Sequence, residues 1–384
     1  MFGRKITLFS IMGFDIRIDL SWLIIVVLIS WSLAVAVFPS RLEGQSEFVY
    51  WIMGIAGAAG LFASVTFHEL SHSIVARRYG LPIEGITLFI FGGVSEMRRE
   101  PESPGAEFYM AVAGPAASIV AGVVFLALAQ RGPVTGWPAP AVQVIRYLGI
   151  INLVLAGFNL IPAFPLDGGR VLRAAIWKIK KDLHKSTVIS ARVGMVFAFL
   201  LIFAGIVFLV SGSMVAGFWW IFIGLFLRSA SQRSILHSRI REALRGVEVR
   251  EIMKEEPVTV PAGISMGELV GEYGEKYDIG AFPVRENGSL KGCVSREQIR
   301  GLSGGSEKEL TAGEIAEPCS GENSIAPGQD ALEALHILRR RDKGGGLPVV
   351  DENQLEGMIS LDDILRFLSL KIGLERKILQ KPLQ

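Results

Sequence analysis

The sequence has few cysteines and little net charge, and each scarcity argues against a class of protein. Cys293 and Cys319 are the only cysteines in 384 residues, so a disulfide framework is not expected and a reducing compartment is favoured. The formal net charge is only +2. Lysine and arginine cluster beside apolar stretches, without a basic patch interleaved with aromatics, so no nucleic-acid partner is expected.

Charged residues are also scarce, and they are unevenly distributed. Half of the residues are hydrophobic and a fifth are charged, with a mean hydropathy of +0.42. This composition is too apolar for a soluble protein of this length. The apolar residues are concentrated in roughly the first 230 positions, and no long apolar run follows them. The sequence therefore predicts an α-helical polytopic membrane domain followed by a soluble part.

Six apolar stretches have lengths near the roughly twenty residues that cross a bilayer. They are residues 20–38, 50–76, 108–130, 141–162, 188–210 and 214–227. Arginine and lysine alternate between abundant and rare in the successive connections, so the positive-inside rule places both termini and the soluble part in the cytosol of a cell-membrane protein. Residues 34–36 resemble a signal-peptide cleavage site. The polar lead before them is long for a signal peptide, so the first span is predicted to be retained.

The second apolar stretch ends in an H-E-x-x-H pattern, His68-Glu69-Leu70-Ser71-His72. On a helix the two histidines lie one turn apart on the same face, so both imidazoles can reach one metal ion. The carboxylate of Glu69 lies beside them, where it can accept a proton from water. The pattern also occurs by chance, but polar side chains within an apolar span need a polar partner, and a metal ion supplies one.

A third ligand is expected after the fourth stretch. Catalytic zinc usually has three protein ligands and one open position, and Asp167 is the best candidate. Two prolines end the helix before it, and Gly168-Gly169 is predicted to allow a sharp turn. On the predicted topology the second and fourth stretches both run toward the cytosol, so their ends meet at similar depth. Glu84 and Glu96 remain alternative ligands, and Asp167 could also be an ordinary turn aspartate.

Over roughly its first 230 residues the chain resembles the site-2 protease family of intramembrane metalloproteases. The similarity rests on the H-E-x-x-H pattern near the end of one span, and on Asn159 followed by Leu-Asp-Gly at 166–168 near the end of a later one. It implies hydrolysis of peptide bonds within or near transmembrane segments of membrane-anchored protein substrates. The implied site has one catalytic Zn²⁺ with ligands His68, His72 and Asp167, the general base Glu69, and Asn159 assisting substrate or transition-state binding.

Residues 85–94 are too short to span a membrane and lie between charged pairs. By the same resemblance they form a membrane-associated β hairpin or loop near the active site. An extended edge there could pair with an unwound substrate by strand addition, so Gly92 and Gly93 are predicted to contact the substrate. A simple cytosolic connector is the alternative. Ala113-Gly114-Pro115 also lies where the family often has a small-residue motif in the third span.

The polar last third contains an internal repeat. Phe282-Pro283-Val284 and Leu347-Pro348-Val349 begin two similar stretches, after which Leu, Gly, Ser and Ile recur at one offset. Each stretch is predicted to form strand, turn, strand and helix, with an apolar helix upstream. The repeat resembles a tandem pair of CBS domains, soluble α/β modules that commonly pack together and bind adenine nucleotides. A CBS-regulated transporter or channel is therefore a second hypothesis, although a conduction path needs neither H-E-x-x-H nor a spaced aspartate.

The CBS resemblance also implies a nucleotide site for AMP or ATP. In that family a Ser or Thr followed three residues later by Asp contacts the nucleotide, and Ser360 and Asp363 match this pattern. Ser295 is followed by Gln298, which departs from it. A ligand-free module that mediates homodimerisation is the alternative. The predicted organisation is a transmembrane metalloprotease domain at 1–232, a linker at 233–246, CBS domains at 247–306 and 309–372, and a tail at 373–384.

Overall fold

A computed structural model of the chain describes residues 5–89, 92–97, 100–274, 281–295, 298, 310–321, 323–340, 346–352 and 354–379. The chain divides into two compact units, Met1–Leu236 and His237–Gln384. The side chains of Glu84 and Glu96, the two alternative metal ligands, lie outside the described part.

Long apolar helices make up most of the first unit. The shorter helix α1, Ser21–Ser32, continues as a π-helix, Leu33–Val37. The helices that are long and apolar enough to cross a bilayer are α2 (Glu47–Arg78), α3 (Pro104–Arg131), α4 (Ala139–Asn159), α6 (Leu183–Val210) and α7 (Met214–Leu244). Between α4 and α6 lies the amphipathic helix α5, Asp167–Lys180. Five of the six predicted spans thus reach the required length within the described residues, and helix α7 continues through most of the predicted linker.

Side-chain caps fix where several of these helices begin. The hydroxyls of Ser46 and Ser103 accept the backbone N–H groups of Val49 and Ala106 at the starts of α2 and α3. The carboxylate of Asp182 does the same for α6. A cap satisfies an N–H group that has no partner within the helix, so each helix begins at a defined residue.

Four strands of the first unit form one sheet in the order β1 (Lys5–Ile11), β2 (Phe14–Asp19), β3 (Ile83–Phe89) and β4 (Gly92–Met97). The strands β3 and β4 form the predicted hairpin, with Phe89 opposite Gly92. The hairpin does not stand alone, because β2 pairs in parallel with β3, with Asp15 opposite Gly85. The sequence did not predict that β2 would pair with the hairpin. Buried side chains of β2 and β3 pack against Val65 and Leu70 of α2.

The parallel pairing of β2 with β3 constrains the path of the chain. Strand β2 precedes α1 and strand β3 follows α2, yet the two strands are hydrogen-bonded neighbours. Helix α2 is long enough to cross a bilayer, so the chain must have crossed in the opposite direction before it. The helix Ser21–Val37 spans about 25 Å at 1.5 Å per residue, somewhat less than a typical hydrocarbon core. It is nevertheless the helix that lies between β2 and α2, and so the part of the chain that makes the crossing before α2.

The second unit contains the two predicted repeats. Its elements are β5 (Val260–Pro261), α8 (Met266–Leu269), β6 (Ala281–Glu286), β7 (Ser289–Ser295), α9 (Ala312–Ile315), α10 (Ala331–Arg340), β8 (Leu347–Asp351), β9 (Gln354–Ile359) and α11 (Leu361–Leu379). The hairpins β6–β7 and β8–β9 each carry a register shift at the same point of the repeat, after Val284 and after Val349. Each hairpin belongs to a separate hydrophobic core.

Candidate metal and catalytic site

Three buried side chains of the first unit converge on one point. The Nε2 atoms of His68 and His72 lie 3.1 Å apart. The Oδ2 atom of Asp167 lies 3.1 Å from the Nε2 atom of His68 and 3.2 Å from that of His72. All three side chains are buried. The structure therefore brings together the three ligands expected from the sequence, including the pair separated by 99 residues.

The outer nitrogen of each imidazole is held by helix α3. The Nδ1 atom of His72 lies 2.6 Å from the carbonyl oxygen of Met110, which can only accept, so this nitrogen carries the proton. The Nδ1 atom of His68 lies 2.9 Å from the hydroxyl of Ser118. A hydrogen bond at Nδ1 leaves the lone pair of Nε2 available and fixes the orientation of the ring, as is usual for histidines that bind metals.

This arrangement fits a zinc ion. Zinc bonds to nitrogen and oxygen are about 2.0–2.1 Å long, and tetrahedral angles then place the ligand atoms about 3.3–3.4 Å apart. The three distances here, 3.1, 3.1 and 3.2 Å, are close to that value. Two imidazole lone pairs and a carboxylate oxygen would repel one another without a cation between them. The donor set, two nitrogens and one oxygen, is also common for catalytic zinc.

Gly114 of α3 leaves room for this cluster. A Cβ atom at this position would overlap the Nε2 atom of His72 and would lie 2.6 Å from that of His68. Any side chain would therefore occupy the space where the ligand atoms meet. The small-residue motif at 113–115 thus lies against the cluster. Glycine is needed at 114 because the two imidazoles approach its Cα closely, and not because of an unusual backbone conformation.

Asp167 is positioned by the segment between α4 and α5. Helix α4 ends at Asn159, and α5 begins at Asp167 itself, where a carboxylate is favoured by the helix dipole. Gly168 and Gly169 have ordinary helical conformations, so the predicted sharp turn at these residues is wrong. These glycines instead allow the start of α5 to pack closely against the preceding backbone. A Cβ at Gly168 would overlap the carbonyl oxygen of Leu160, and one at Gly169 would overlap the backbone nitrogen of Phe164.

A cavity of about 440 Å³ opens onto the three predicted ligands. Glu69 and Asn159, the two predicted catalytic residues, both line it, as do Gly92 and Gly93 at the start of β4. The side-chain nitrogen of Asn159 donates to the carbonyl oxygen of Leu155 at 3.1 Å, within its own helix. All of the site residues predicted for the membrane domain are therefore found around one cavity.

Strand β4 approaches the side chain of Glu69 closely. A Cβ atom at Gly93 would lie 2.5 Å from Cγ of Glu69 and 3.2 Å from its Cδ. Within the described sheet β4 is an edge strand, because it pairs only with β3. The glycine backbone therefore forms a wall of the cavity directly beside the carboxylate.

Sequence reasoning missed several residues around this site. Ser118 and Met110 hold the two imidazoles, and Asn152 of α4 donates to the hydroxyl of Ser64 at 2.9 Å, one turn before His68. Buried polar side chains in apolar spans indicate function, and that signal is present in the sequence at Ser64, Ser118 and Asn152. The contact made by Met110 gives no such signal, because it uses the backbone carbonyl group, which every residue has.

The predicted nucleotide-contacting residues of the second unit are at the start of α11. The N–H and hydroxyl groups of Ser360 both donate to Oδ2 of Asp363, and the N–H of Asp363 donates to Oγ of Ser360. The Nζ atom of Lys254 lies 3.3 Å from Oδ1 of the same carboxylate. Ser360 and Asp363 thus form a reciprocal cap for the helix, next to a lysine.

The corresponding residues of the first repeat, Ser295 and Gln298, make the same two reciprocal backbone-to-side-chain hydrogen bonds. The N–H of Ser295 donates to Oε1 of Gln298 at 2.7 Å, and the N–H of Gln298 donates to Oγ of Ser295 at 3.3 Å. The side-chain nitrogen of Gln298 donates in addition to the carbonyl oxygen of Ile315 at 3.2 Å. An amide therefore takes the place of the carboxylate, and it is engaged by the protein.

Comparison with known families matches both units. A model of peptidase family M50 matches residues 56–134 and 135–203, and a model of the CBS domain matches residues 249–304 and 319–370. The first two ranges contain His68, His72 and Asp167. The last two contain the two repeats of the second unit.

Similar proteins are found in bacteria and archaea. The chain is 33% identical over 368 residues to a protein of Mycobacterium tuberculosis provisionally named zinc metalloprotease Rip3, covering 95% of this chain and 93% of the relative. It is 32% identical over 369 residues to the zinc metalloprotease MJ0392 of Methanocaldococcus jannaschii, covering 95% and 96%. A solved site-2 protease from Methanocaldococcus jannaschii is 33% identical and covers 60% of this chain and 95% of its own, with a TM-score of 0.42.

Proposed function

Because the chain belongs to peptidase family M50, the site-2 proteases, we propose that His68, His72 and Asp167 hold its zinc ion. The chain is a multi-pass membrane protein and an intramembrane zinc metalloprotease that hydrolyses peptide bonds of protein substrates. Family membership decides against the transporter or channel considered from the sequence. The observation that carries the ligand assignment is the triangle of two Nε2 atoms and one Oδ2 atom, with edges of 3.1–3.2 Å.

Glu69 is proposed as the general base. Bound zinc supplies Lewis-acid polarisation of the substrate carbonyl and lowers the pKa of water. Glu69 lines the cavity beside the ligands, so its carboxylate can take a proton from the attacking water and return it to the leaving amine. Asn159 faces the same cavity from the end of α4, and its amide is proposed to orient the substrate or to stabilise the tetrahedral transition state.

The substrate is proposed to bind along β4 in an extended form. Peptide bonds in a helix are hydrogen-bonded and shielded, so a transmembrane substrate must unwind locally before it is cut. The edge of β4 that has no partner strand within the described sheet can pair with the unwound segment by strand addition. Gly92 and Gly93 lie in this edge and in the cavity wall, so the added strand would pass close to Glu69 and the metal ligands.

The test is cleavage of a model single-span substrate by the purified full-length protein. Glu69→Gln is expected to keep one zinc ion per chain and to lose cleavage by at least about 1000-fold, since a base within the reacting centre is removed. Glu47→Gln is the matched control, because this glutamate is exposed in the first turn of the same helix. Full proteolysis by Glu69→Gln, or a chain without bound zinc that still cleaves, would contradict the proposal.

We also propose that both termini and the CBS repeats are cytosolic. The connection from α4 to α6 carries Lys178, Lys180 and Lys181, whereas the connection from α3 to α4 has only Arg131 at its start, with Arg146 further on within α4. In a Cys293→Ser/Cys319→Ser background, Thr135→Cys should react with an impermeant maleimide in intact cells. Lys180→Cys should react only after permeabilisation. The opposite labelling pattern would reverse the assigned orientation.

An adenine nucleotide is proposed to regulate the protease through the second CBS repeat. The carboxylate of Asp363 and the hydroxyl of Ser360 are suited to the ribose and phosphate of AMP or ATP, and Lys254 adds a positive charge beside them. Calorimetric titration of the full-length protein with AMP and ATP should detect binding, and Asp363→Ala should remove it. Gln298→Ala is the matched change in the first repeat, where Ser295 lacks the partner aspartate, and should leave binding unchanged. Unaltered binding to Asp363→Ala would place the site elsewhere.

Homodimerisation through the CBS repeats is the remaining proposal. Leu361 and Leu365 lie one turn apart on α11 and are 38% and 51% exposed, which is a small apolar patch suited to contact with a second copy. Light scattering of the full-length protein in detergent should give the mass of two chains. Leu365→Glu should give the mass of one, and a wild-type mass of one chain would contradict a dimer.

A further inference from the structure

The two cysteines of the chain lie side by side in the second unit. Their Sγ atoms are 3.7 Å apart, although the residues are separated by 26 positions in the sequence. Cys293 is buried in strand β7, and Cys319 is partly exposed. Two sulfur atoms at this distance are in van der Waals contact, and a shift of less than 2 Å would bring them to the length of a covalent bond.

Backbone pairing holds the two thiols together. The N–H of Cys293 donates to the carbonyl oxygen of Glu317 at 2.9 Å, and the N–H of Glu317 donates back to the carbonyl oxygen of Cys293 at 3.0 Å. Cys319 lies two residues beyond Glu317. Residues two positions apart on an extended segment face the same side, so this bridge places the thiol of Cys319 next to that of Cys293.

Cys319 lies in the segment by which the chain passes from the first repeat to the second (the connector), at the first residue of the second range that matches the CBS domain. Before it, Glu317 is paired with β7 of the first repeat. After it, the N–H of Ile325 donates to the carbonyl oxygen of Pro348, and the N–H of Val350 donates to that of Ile325, both within the second repeat. A covalent bond at Cys319 would therefore fasten the connector to the first repeat a few residues before it enters the second.

We propose that Cys293 and Cys319 form a reversible disulfide that fixes this connector when the chain meets a peroxide. Hydrogen peroxide oxidises the thiol of Cys319, the more exposed of the two, to a sulfenic acid, and one water is released. The thiol of Cys293 then attacks that sulfur, the S–S bond forms, and a second water leaves. Two thiols are thus oxidised while one peroxide is reduced. A dithiol such as thioredoxin returns the pair to its reduced form, as suits a cytosolic domain.

Mass spectrometry of the full-length protein in detergent tests the bond. After treatment with hydrogen peroxide and alkylation, the expected product is a peptide pair joined through Cys293 and Cys319, lighter by two hydrogen atoms than the reduced pair. Dithiothreitol should reverse it. In Cys293→Ser, where the attacking thiol is absent, dimedone should trap a sulfenic acid on Cys319. Sulfinic acids on separate cysteines, or bridges between chains only, would overturn the proposal.

Thermal unfolding and limited proteolysis test the consequence for the connector. Oxidation should raise the unfolding midpoint of the wild-type CBS repeats by several degrees and should slow cleavage of the connector. Neither change is expected in Cys293→Ser/Cys319→Ser. The double variant should cleave the model substrate at the wild-type rate under reducing conditions, since neither cysteine lines the catalytic cavity. A bond that forms without altering the midpoint or the proteolysis rate would overturn the role assigned to it.

Discussion

Arg173 of helix α5 forms a buried ion pair with Glu107 of helix α3. The Nε atom of Arg173 donates to Oε1 of Glu107 at 2.5 Å, and the two residues are 5% and 0% exposed. The guanidinium carbon also lies 4.9 Å from the centre of the Phe164 ring. Helix α5 begins at Asp167, and helix α3 holds the two imidazoles. The ion pair therefore joins the helix that carries the third proposed ligand to the helix that orients the other two proposed ligands.

Breaking this pair should disturb both stability and the metal site. Glu107→Gln leaves the guanidinium of Arg173 buried without its counter-charge, which costs about 3–5 kcal/mol in comparable pairs. We expect a lower thermal midpoint and weaker zinc binding, measured by competition with a chelator. Lys185→Met is the matched control, because it removes an exposed ion pair with Asp182 that is worth less than about 1 kcal/mol. Wild-type zinc affinity in Glu107→Gln would mean that the pair does not position Asp167.

Substitution of Gly114 should eliminate zinc while leaving the helix intact. Gly114→Ala places a methyl group where the Nε2 atoms of His68 and His72 meet, so elemental analysis should find little bound zinc and cleavage should be lost. Gly105→Ala is the control on the same helix, because a Cβ there has no neighbour within 4 Å among the described residues. A zinc content of one ion per chain in Gly114→Ala would show that the cluster can move aside.

Removal of the Ser118 hydroxyl should weaken zinc binding without abolishing it. Ser118→Ala deletes the partner of Nδ1 of His68, and loss of such an outer hydrogen bond typically lowers metal affinity by about 10–100-fold. Ser190→Ala is a suitable comparison, because that hydroxyl is buried in α6 without a hydrogen-bond partner in the part of the chain that the structure describes. Equal zinc affinities for the two variants would indicate that His68 needs no such support.

A side chain at Gly93 should separate catalysis from metal binding. In Gly93→Ala the new methyl group would press against Cγ of Glu69, so kcat should fall by at least about 10-fold, as for a displaced general base, while zinc content stays at one. Gly157→Ala of α4 should change neither quantity, because a Cβ at this position would have no neighbour within 4 Å in the part of the chain that the structure describes. Loss of zinc from Gly93→Ala would instead show that β4 supports the ligands themselves.

The sequence predicted the chemistry of the site better than the way in which the site is held. His68, His72 and Glu69 share one helix, so their spacing alone defines their mutual geometry. Asp167 could be added because topology and the need for a third ligand restricted the choice. The repeats of the second unit were also recognisable, since their strands and helices recur at one offset and both recurrences form hairpins in the structure.

The remaining features depend on contacts between distant segments. The parallel pairing of β2 with β3 joins residues on either side of two long helices, and no local pattern specifies such a partner. The glycines Gly168 and Gly169 could be interpreted from sequence only as turn residues, because the backbone that packs against them becomes visible only in the fold. The ion pair between Glu107 and Arg173 could not be predicted from the sequence for the same reason. A charge beside an apolar span could nevertheless have drawn attention to each residue.

The wide separation of His68 from Asp167 has a consequence for biosynthesis. The ribosome adds His68 and His72 long before Asp167, which follows His68 by 99 residues. The whole of α3 and α4 is synthesised in between. On the proposed ligand assignment, a nascent chain cannot become proteolytically competent until α4 has been inserted and Asp167 has reached the two histidines of α2. Until then, on the same assignment, the chain would not cut neighbouring helices that are being inserted at the same time.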